Sequence, residues 1–394
     1  MNILILHQHF NTPQSGGALR SYFLAKAAAD AGHQVTVVAG GAMQYQTELF
    51  EGISIHRLPV RYSNYFGFWK RIFSFARYVL LCVLHAGKFK HNDICYAIST
   101  PLTIGLAAQW LKWRHKIPYV FEVGDLWPDV PIALDVIENR LLKDLLWRLE
   151  TRIYQKASSV IALSPAIQSA IEKKTPTVNV HLIPNMADTE FFQPSAKPIE
   201  LEKKYHVEGK LVVSYFGAVG FANGLENLLH AIHGCEQAQL PVHFLLAGDG
   251  VELTNLQQLA QQLQLNNISF LGFRNRAGIS ELMQITDAIF VSFRPAPILE
   301  TGSPNKLFDG LAAGKMIILN FSGWLRIEIE RSACGFYVDP NQPNALSLSL
   351  QRLLKSNELH TSQRNARDLA IAKYSRNTLC RQWLDVLEQK NRAI

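Results

Sequence analysis

Lys306 and Asp309 lie within GSPNKLFDGLAAGK (residues 302–315), where a Gly-Ser-Pro-Asn turn runs into a small, helix-prone segment. Ser and Asn are ordinary N-caps, Pro suits a first helical position and Gly314 suits a helix end, so locally this is a well-capped helix start. Cations elsewhere in the same half of the chain supply a second reading. Arg274 and Arg276 follow the apolar run ISFLGF, and Arg294 follows AIFVSF. With Lys306 they would bring positive charge to one edge of a single sheet, and four cations around a cleft mouth suit a diphosphate. Each one singly also reads as a solvated surface charge.

Three other stretches carry residues of the right type. Gly16 and Gly17 in NTPQSGGALRSYFLAK precede a helical pattern. Free N–H groups there favour an anion, and glycine there also makes an ordinary tight turn. The spacing is not Gly-x-Gly-x-x-Gly and no acid ends the second strand, which disfavours a nicotinamide cofactor. Gly248 sits in AGDGVEL after a buried run, where open α/β sheets bind ligands, although Gly-Asp-Gly is also turn chemistry. In VFEVGDLWPDVPIAL, Glu122, Asp125 and Asp129 follow a strand. Asp125 falls at its carboxyl end and could act as a general base, bind a hydroxyl or cap the next turn.

The elements that must position these residues are short apolar runs alternating with longer helical patterns. NILILH, QVTVVAG, DICYAIS, YVFEVGD, SSVIALS and VHLIPN form one series; KLVVSYFGAVG, VHFLLAGDG, ISFLGF, AIFVSF and KMIILNF form another. Uniformly apolar strands separated by helices predict parallel sheets covered on both faces, and two series predict two doubly wound α/β domains. The proline-bearing, polar stretch at about 186–206 reads as the linker, giving domains at 1–190 and 191–375. Residues 376–394 form a final amphipathic helix with no strand after it, which must dock on something already built.

Composition narrows the partners. With 394 residues, 48 % of them hydrophobic and 18 % charged, the chain is globular and long enough for two cores. A net charge of +7 suggests an anionic partner: nucleic acid, nucleotide or membrane surface. Nucleic acid is disfavoured, because no zinc-finger spacing, long basic run or RNA-binding signature occurs. No Asp-x-Asp or His-Glu-x-x-His motif, Walker loop or Gly-x-Ser-x-Gly elbow appears, so no metal is expected. Five widely spaced cysteines, an odd number, fit a reducing compartment. MNILILHQHF reads as a first strand rather than a signal peptide, which favours a cytoplasmic location.

Residues 65–90, YFGFWKRIFSFARYVLLCVLHAGKFK, are the most unusual segment. Phe66, Trp69, Ile72, Phe73, Ala76, Leu80, Val83 and Leu84 recur at helical spacing with Lys70, Arg71 and Arg77 between them. The uncharged part is too short to span a bilayer, which needs about 20 residues. A basic, aromatic-rich amphipathic helix suits an anionic membrane interface, and a core helix is the competing reading. QWLKWRHK (109–116) adds Trp and cations to the membrane side of that balance.

Taken in order, the Gly16-Gly17 loop with GHQVTVVAG, then DLWPD, IPNMADTEFFQP, YFGAVG, AGDG, LGF and GSPNKLFDGLAAGK, resemble a retaining glycosyltransferase of family 4 with the two-Rossmann GT-B architecture. DLWP and SPNKLFDGLAAGK resemble the branch that builds bacterial cell-surface polysaccharides. The resemblance implies a nucleotide-diphosphate sugar donor in the second domain and a glycan acceptor, polyprenyl-linked in that branch, in the first. It implies a place at the inner face of the plasma membrane, and a C-terminal helix returning to the first domain. Asp309 takes the ribose-hydroxyl role, and the backbone of Ser303, Pro304, Asn305, Lys306 and Leu307 approaches the phosphates. The Gly217 and Gly248 loops fall in the donor region, and Asp125 matches the acidic loop that closure brings to the donor. Two departures stand out. Thr301 occupies the position of the family's first acid, with Glu300 beside it as a substitute. Ala218 and Asn223 occupy the positions of an Arg/Lys pair, which leaves Lys306, Arg274 and Arg294 to meet the diphosphate. These departures keep an inert partner or scaffold homologue as an alternative, and a sugar-nucleotide epimerase is another.

Overall fold

The computed structural model describes residues 1–63 and 65–392. By spatial clustering the chain falls into two units: unit 1 is Met1–Pro184 with Thr301–Ser303 and Asn377–Ile394, and unit 2 is Asn185–Glu300 with Pro304–Arg376.

Unit 1 contains strands β1 (Asn2–Leu6), β2 (Gln34–Ala39), β3 (Gln46–Phe50), β4 (Ile53–Arg57), β5 (Ile94–Ile98), β6 (Tyr119–Val123), β7 (Ser159–Ala162) and β8 (Val180–Leu182). Their order is β3-β4-β2-β1-β5-β6-β7-β8, and all pair in parallel except β3 with β4. The β3–β4 hairpin, absent from the expected strand series, turns at Glu51 and Gly52, both with positive φ. β3 is largely exposed, so it lacks the apolar run that marks its neighbours. The helices are α1 (Arg20–Asp30), α2 (Phe68–Leu84), α3 (Ile104–His115), α4 (Asp129–Ala133), α5 (Arg140–Lys156) and α6 (Pro165–Lys174). From β4 to β5, β6 and β7 the chain steps one way across the sheet, so α2, α3 and α5 lie side by side on one face, as right-handed crossovers require. β1 to β2 steps the other way, which puts α1 on the opposite face.

Unit 2 holds helix α7 (Ile199–Tyr205), then strands β9 (Leu211–Phe216), β10 (Val242–Ala247), β11 (Ile268–Gly272), β12 (Ala288–Val291), β13 (Met316–Leu319) and β14 (Gly335–Tyr337). They form an all-parallel sheet, β11-β10-β9-β12-β13-β14, wrapped by α8 (Leu225–Gln237), α9 (Leu253–Gln262), α10 (Arg276–Ile285), α11 (Asn305–Ala312), α12 (Trp324–Arg331), α13 (Ala345–Leu354) and α14 (Glu358–Lys373). Leu, Ile, Val and Phe from β9, β12 and β13 fill two cores, one on each face of the sheet.

The segment expected as a linker is built into unit 2 instead. Ala187 N–H donates to Tyr374 O (2.7 Å), and Arg376 N–H donates back to Ala187 O (3.0 Å). Residues 199–205 are helical, so the division falls at Pro184/Asn185 rather than after residue 190. The last helix, α15 (Arg376–Arg392), groups from Asn377 onward with unit 1. There Trp383 meets Tyr96 edge to face at 5.1 Å, and His33 Nε2 lies 3.2 Å from Glu388 Oε1.

Candidate active site

In unit 2 the ends of three neighbouring strands are stitched together. Gly217 N–H donates to Ala247 O (3.0 Å), and Gly248 N–H donates to Gly272 O (2.9 Å). A Cβ at Gly248 would stand 1.9 Å from Gly217 O, so only glycine lets the β9 and β10 loops approach this closely. Gly217 has φ +131, and the Lys306 side chain lies directly over it: a Cβ there would meet Lys306 Cε at 3.1 Å and Nζ at 3.2 Å. The Lys306 ammonium sits 3.6 Å from the centre of the Tyr215 ring and has no carboxylate partner among the described residues. Desolvation pushes it down to about 7.

Lys306 is the second residue of α11, whose N-cap is Pro304. Asn305 and Lys306 therefore carry backbone N–H groups with no acceptor inside the helix. One turn further on, the Asp309 carboxyl makes no hydrogen bond or ion pair among the described residues. Desolvation raises it to about 7; Arg276 draws it down and Asp188 pushes it up by smaller amounts. Gly217, Gly248, Lys306, Leu307 and Asp309 thus gather at the carboxyl edge of one sheet.

The expected cations do not all join them. Arg276 is held by Asp188 and stacks 4.0 Å from the Phe191 ring, and Arg376 Nη1 grips the same carboxylate at 2.7 Å. Arg276 therefore serves the Asp188 knot rather than a phosphate. Arg294 donates to Glu226 Oε1 (2.5 Å) and lies 3.6 Å over the Phe221 ring, so its charge is already met. Arg274 is exposed on the loop after β11. Glu300 and Thr301 close a 3-10 turn, Pro297–Thr301, with the Glu300 carbonyl close against Gly323: a Cβ there would stand 2.7 Å from it. Thr301, Gly302 and Ser303 group with unit 1, whereas Glu300 and Pro304 group with unit 2.

In unit 1, Gly16 (φ +72) and Gly17 (φ +86) make a left-handed turn ahead of α1. The Arg20 side chain that follows is buried against Glu122, with Nε–Oε2 3.0 Å and Nη2–Oε2 2.8 Å, and it also donates to the carbonyls of Ile183 and Pro184. Tyr96 OH completes the cluster on Glu122. Glu122 is consequently a core anchor. Asp129 accepts from Trp147 Nε1 (2.7 Å) and Lys174 Nζ (2.5 Å), and Lys174 also reaches the buried Glu150 (2.8 Å). These bonds pin the 124–129 loop and leave Asp125 solvent-open at its tip. Protein crowding around this exposed carboxyl still raises it above its ordinary value through desolvation.

Sequence spacing did not point to Tyr215, the ring beneath Lys306, nor to Asp188 and Arg376. Their partners lie 88 and 188 residues apart in the chain, and no local pattern encodes such pairings. Among the described residues no cluster of three His, Cys, Asp or Glu is arranged to hold a metal ion.

Two doubly wound units, the second with a glycine-lined loop edge at a helix N-terminus, define a two-domain α/β protein of the GT-B type. Family models described as a glycosyl transferase 4-like domain and as glycosyl transferases group 1 match residues 15–186 and 197–368, and the chain belongs to the retaining glycosyltransferases of family 4. It is similar to alpha-D-kanosaminyltransferase of Streptomyces kanamyceticus, 22 % identical over 87 % of this chain and 91 % of that one. HepE of Anabaena, solved with UDP-glucose, superposes with a TM-score of 0.74 at 21 % identity, covering 99 % of this chain and 100 % of that one. WaaG, a glycosyltransferase involved in lipopolysaccharide biosynthesis, superposes with a TM-score of 0.69 at 17 % identity, covering 98 % and 99 %.

Proposed function

We propose that the chain transfers a hexose, with retention of configuration, from a nucleoside-diphosphate sugar to a lipid-linked glycan at the cytoplasmic face of a bacterial membrane, in the assembly of a cell-surface polysaccharide. The carrying observation is Lys306, a desolvated ammonium without a carboxylate partner, poised over Gly217 at the N-terminus of α11.

In this reading the diphosphate lies on the free amides of α11 and against Lys306. Leaving-group charge is thus met by a fixed dipole and one cation, with no metal called for. Asp309 accepts the ribose hydroxyls. Arg274 is a reserve cation at the rim, and Arg294 contributes only by exchanging Glu226 for phosphate. Glu300 contacts the transferred sugar in place of the acid that Thr301 lacks, and Asp125 orients or deprotonates the acceptor hydroxyl. HepE, solved with UDP-glucose, makes UDP-hexoses the first donors to try. WaaG, involved in lipopolysaccharide biosynthesis, supports an envelope glycan as acceptor.

Helix α2 supports the membrane half of the reading. Ser74, Phe75, Tyr78 and Cys82 pack it onto unit 1, while Trp69 (79 % exposed), Phe73 (67 %), Leu80 and Leu84 face outward beside Lys70 and Arg77. One side of the helix is thus a core face, and the opposite side leaves aromatic, aliphatic and basic side chains exposed, which supports the interfacial reading. No helix among the described residues is long and apolar enough to cross a membrane. A thermal-shift screen of nucleotide sugars tests the donor half: one preferred donor must raise the melting temperature by mass action. A flat response across uridine, guanosine, adenosine and thymidine diphosphate sugars overturns it.

A further inference from the structure

The buried side chains of α5 all lie in its last turns. Glu150, Ile153 and Tyr154 are buried, and Ile153 fills the space over Gly105 of α3, where a Cβ would stand 2.6 Å from it. The preceding turns, residues 140–149, contain no buried side chain. Leu141 is 80 % exposed and Leu145 63 %, one turn apart on the same stripe, and Val136 stands exposed just ahead of them.

Its surroundings are basic. Between residues 136 and 156 the exposed or partly exposed charges are Arg140, Lys143, Arg148, Arg152 and Lys156 against Glu138 and Asp144, since Glu150 is buried on Lys174. The same imbalance runs through residues 57–116, where ten Lys and Arg face a single acid, Asp93. Exposed leucines ringed by cations complement an anionic lipid surface, in which apolar side chains insert and basic ones stay with the headgroups.

Topology sets where this surface points. A crossover helix runs antiparallel to its strands, so it begins at the carboxyl edge of the sheet. α2 follows β4 and α5 follows β6; β4 pairs in parallel with β2, and β6 with β5. The first turns of both helices, with Trp69 and Phe73 on one and Leu141 and Leu145 on the other, therefore rise at the edge that carries Asp125. The bond from Trp147 Nε1 to Asp129 Oδ1 ties α5 directly to that loop.

We infer that the exposed first half of α5 is a second membrane-contact element, which with α2 brackets the Asp125 loop and sets the carboxyl edge of unit 1 against anionic lipid. A single interfacial helix leaves a protein free to roll about its axis; two contacts on either side of one loop fix the tilt. A lipid-linked sugar would then reach Asp125 from the headgroup level without leaving the bilayer. This inference rests on the membrane reading of α2.

Flotation of the full chain with phosphatidylcholine vesicles containing about a third phosphatidylglycerol tests both elements separately. Leu141→Glu/Leu145→Glu is expected to lower vesicle partitioning at least about tenfold with a nearly unchanged melting temperature, because both side chains are largely exposed. Leu141→Ala/Leu145→Ala should give a smaller loss. Trp69→Glu/Phe73→Glu serves as the α2 comparison. If only the α2 pair loses binding, α5 is not a contact element and the inference fails while the α2 reading stands. If only the α5 pair loses it, the α2 reading fails, and with it the bracketing of the Asp125 loop. A wild type that does not float overturns both. If the wild type elutes as a dimer, and the α5 pair turns it monomeric without changing flotation, the face belongs to a second copy and the inference fails.

Discussion

The Lys306 ammonium lies 3.6 Å from the centre of the Tyr215 ring, and the two residues are 91 positions apart in the chain. The ring face offers the cation a weak electrostatic partner while adjoining protein strips away its water. A charge held in this way is costly to the folded protein and strongly attractive to an anion. Its neighbour Asp309 is held up by the same desolvation, so an amine and a carboxyl, both shifted toward about 7 and so toward their neutral forms, stand a turn apart on α11.

Replacing Lys306 with Met keeps the contact with Tyr215 and removes the charge. UDP or UDP-hexose affinity, read by titration calorimetry, should fall by about tenfold to a hundredfold, the range of a hydrogen bond to a charged group. The melting temperature of the unliganded protein should rise, because a desolvated ammonium is removed. Loss of stability together with unchanged affinity would show Lys306 to be a packing residue.

Donor binding should be bell-shaped in pH. Lys306 titrates near 7 in the free protein and binds phosphate only when protonated, so its contribution is complete below pH 7 and declines above it. Asp309, also near 7, accepts ribose hydroxyls best when ionised, so its contribution grows through the same region. With a UDP-hexose, whose diphosphate carries constant charge in this range, Lys306→Arg should remove the alkaline limb and Asp309→Asn the acid limb. A pH-independent affinity in wild type refutes both assignments.

Asp309 also makes a stability prediction of definite sign. Its folded pKa is raised from 3.8 to about 7, so the native state holds the proton that the unfolded chain releases. Stability should therefore fall as pH rises from about 4 to about 7. Asp309→Asn should raise the melting temperature by a few degrees, roughly 2–4 °C, at pH 8 and leave it nearly unchanged at pH 4. An equal shift at both pH values would contradict the stated pKa.

Glu122→Ala should behave as a core lesion. It strands the buried Arg20 guanidinium and removes the acceptor of Tyr96, and breaking a buried ion pair costs about 3–5 kcal/mol. Urea denaturation of unit 1 should show that loss, while nucleotide affinity in unit 2 stays within about twofold of wild type.

What could be read without coordinates follows from the range of the interaction concerned. Strands β9, β10 and β12 are runs apolar save for Ser214 and His243, and so are written in adjacent residues; the start of α11 was legible but not its cap, which is Pro304 with no side-chain cap rather than Ser303 or Asn305. The positions of Gly217, Gly248 and Lys306 at the sheet's carboxyl edge could be read the same way, because each lies just beyond a strand or at a helix start. The fates of Glu122, Arg276 and Arg294 were not readable: Arg20, Asp188 and Glu226 lie 102, 88 and 68 residues away from them, and only the folded sheets bring them close. β3 escaped notice because an exposed edge strand has no apolar signature. α2 was ambiguous because one face packs and the opposite face is equally apolar.

The backbone exchange between Ala187 and residues 374–376, braced by Asp188 with Arg276 and Arg376, has a consequence for ancestry. It seals unit 2 where it begins and where it ends, so the chain enters and leaves through one fastened doorway. A module closed in this manner can be lifted out and replaced by another without rethreading its host. An exchange cut at residues 185 and 376 would carry with it only the three residues Thr301–Ser303 that group with unit 1.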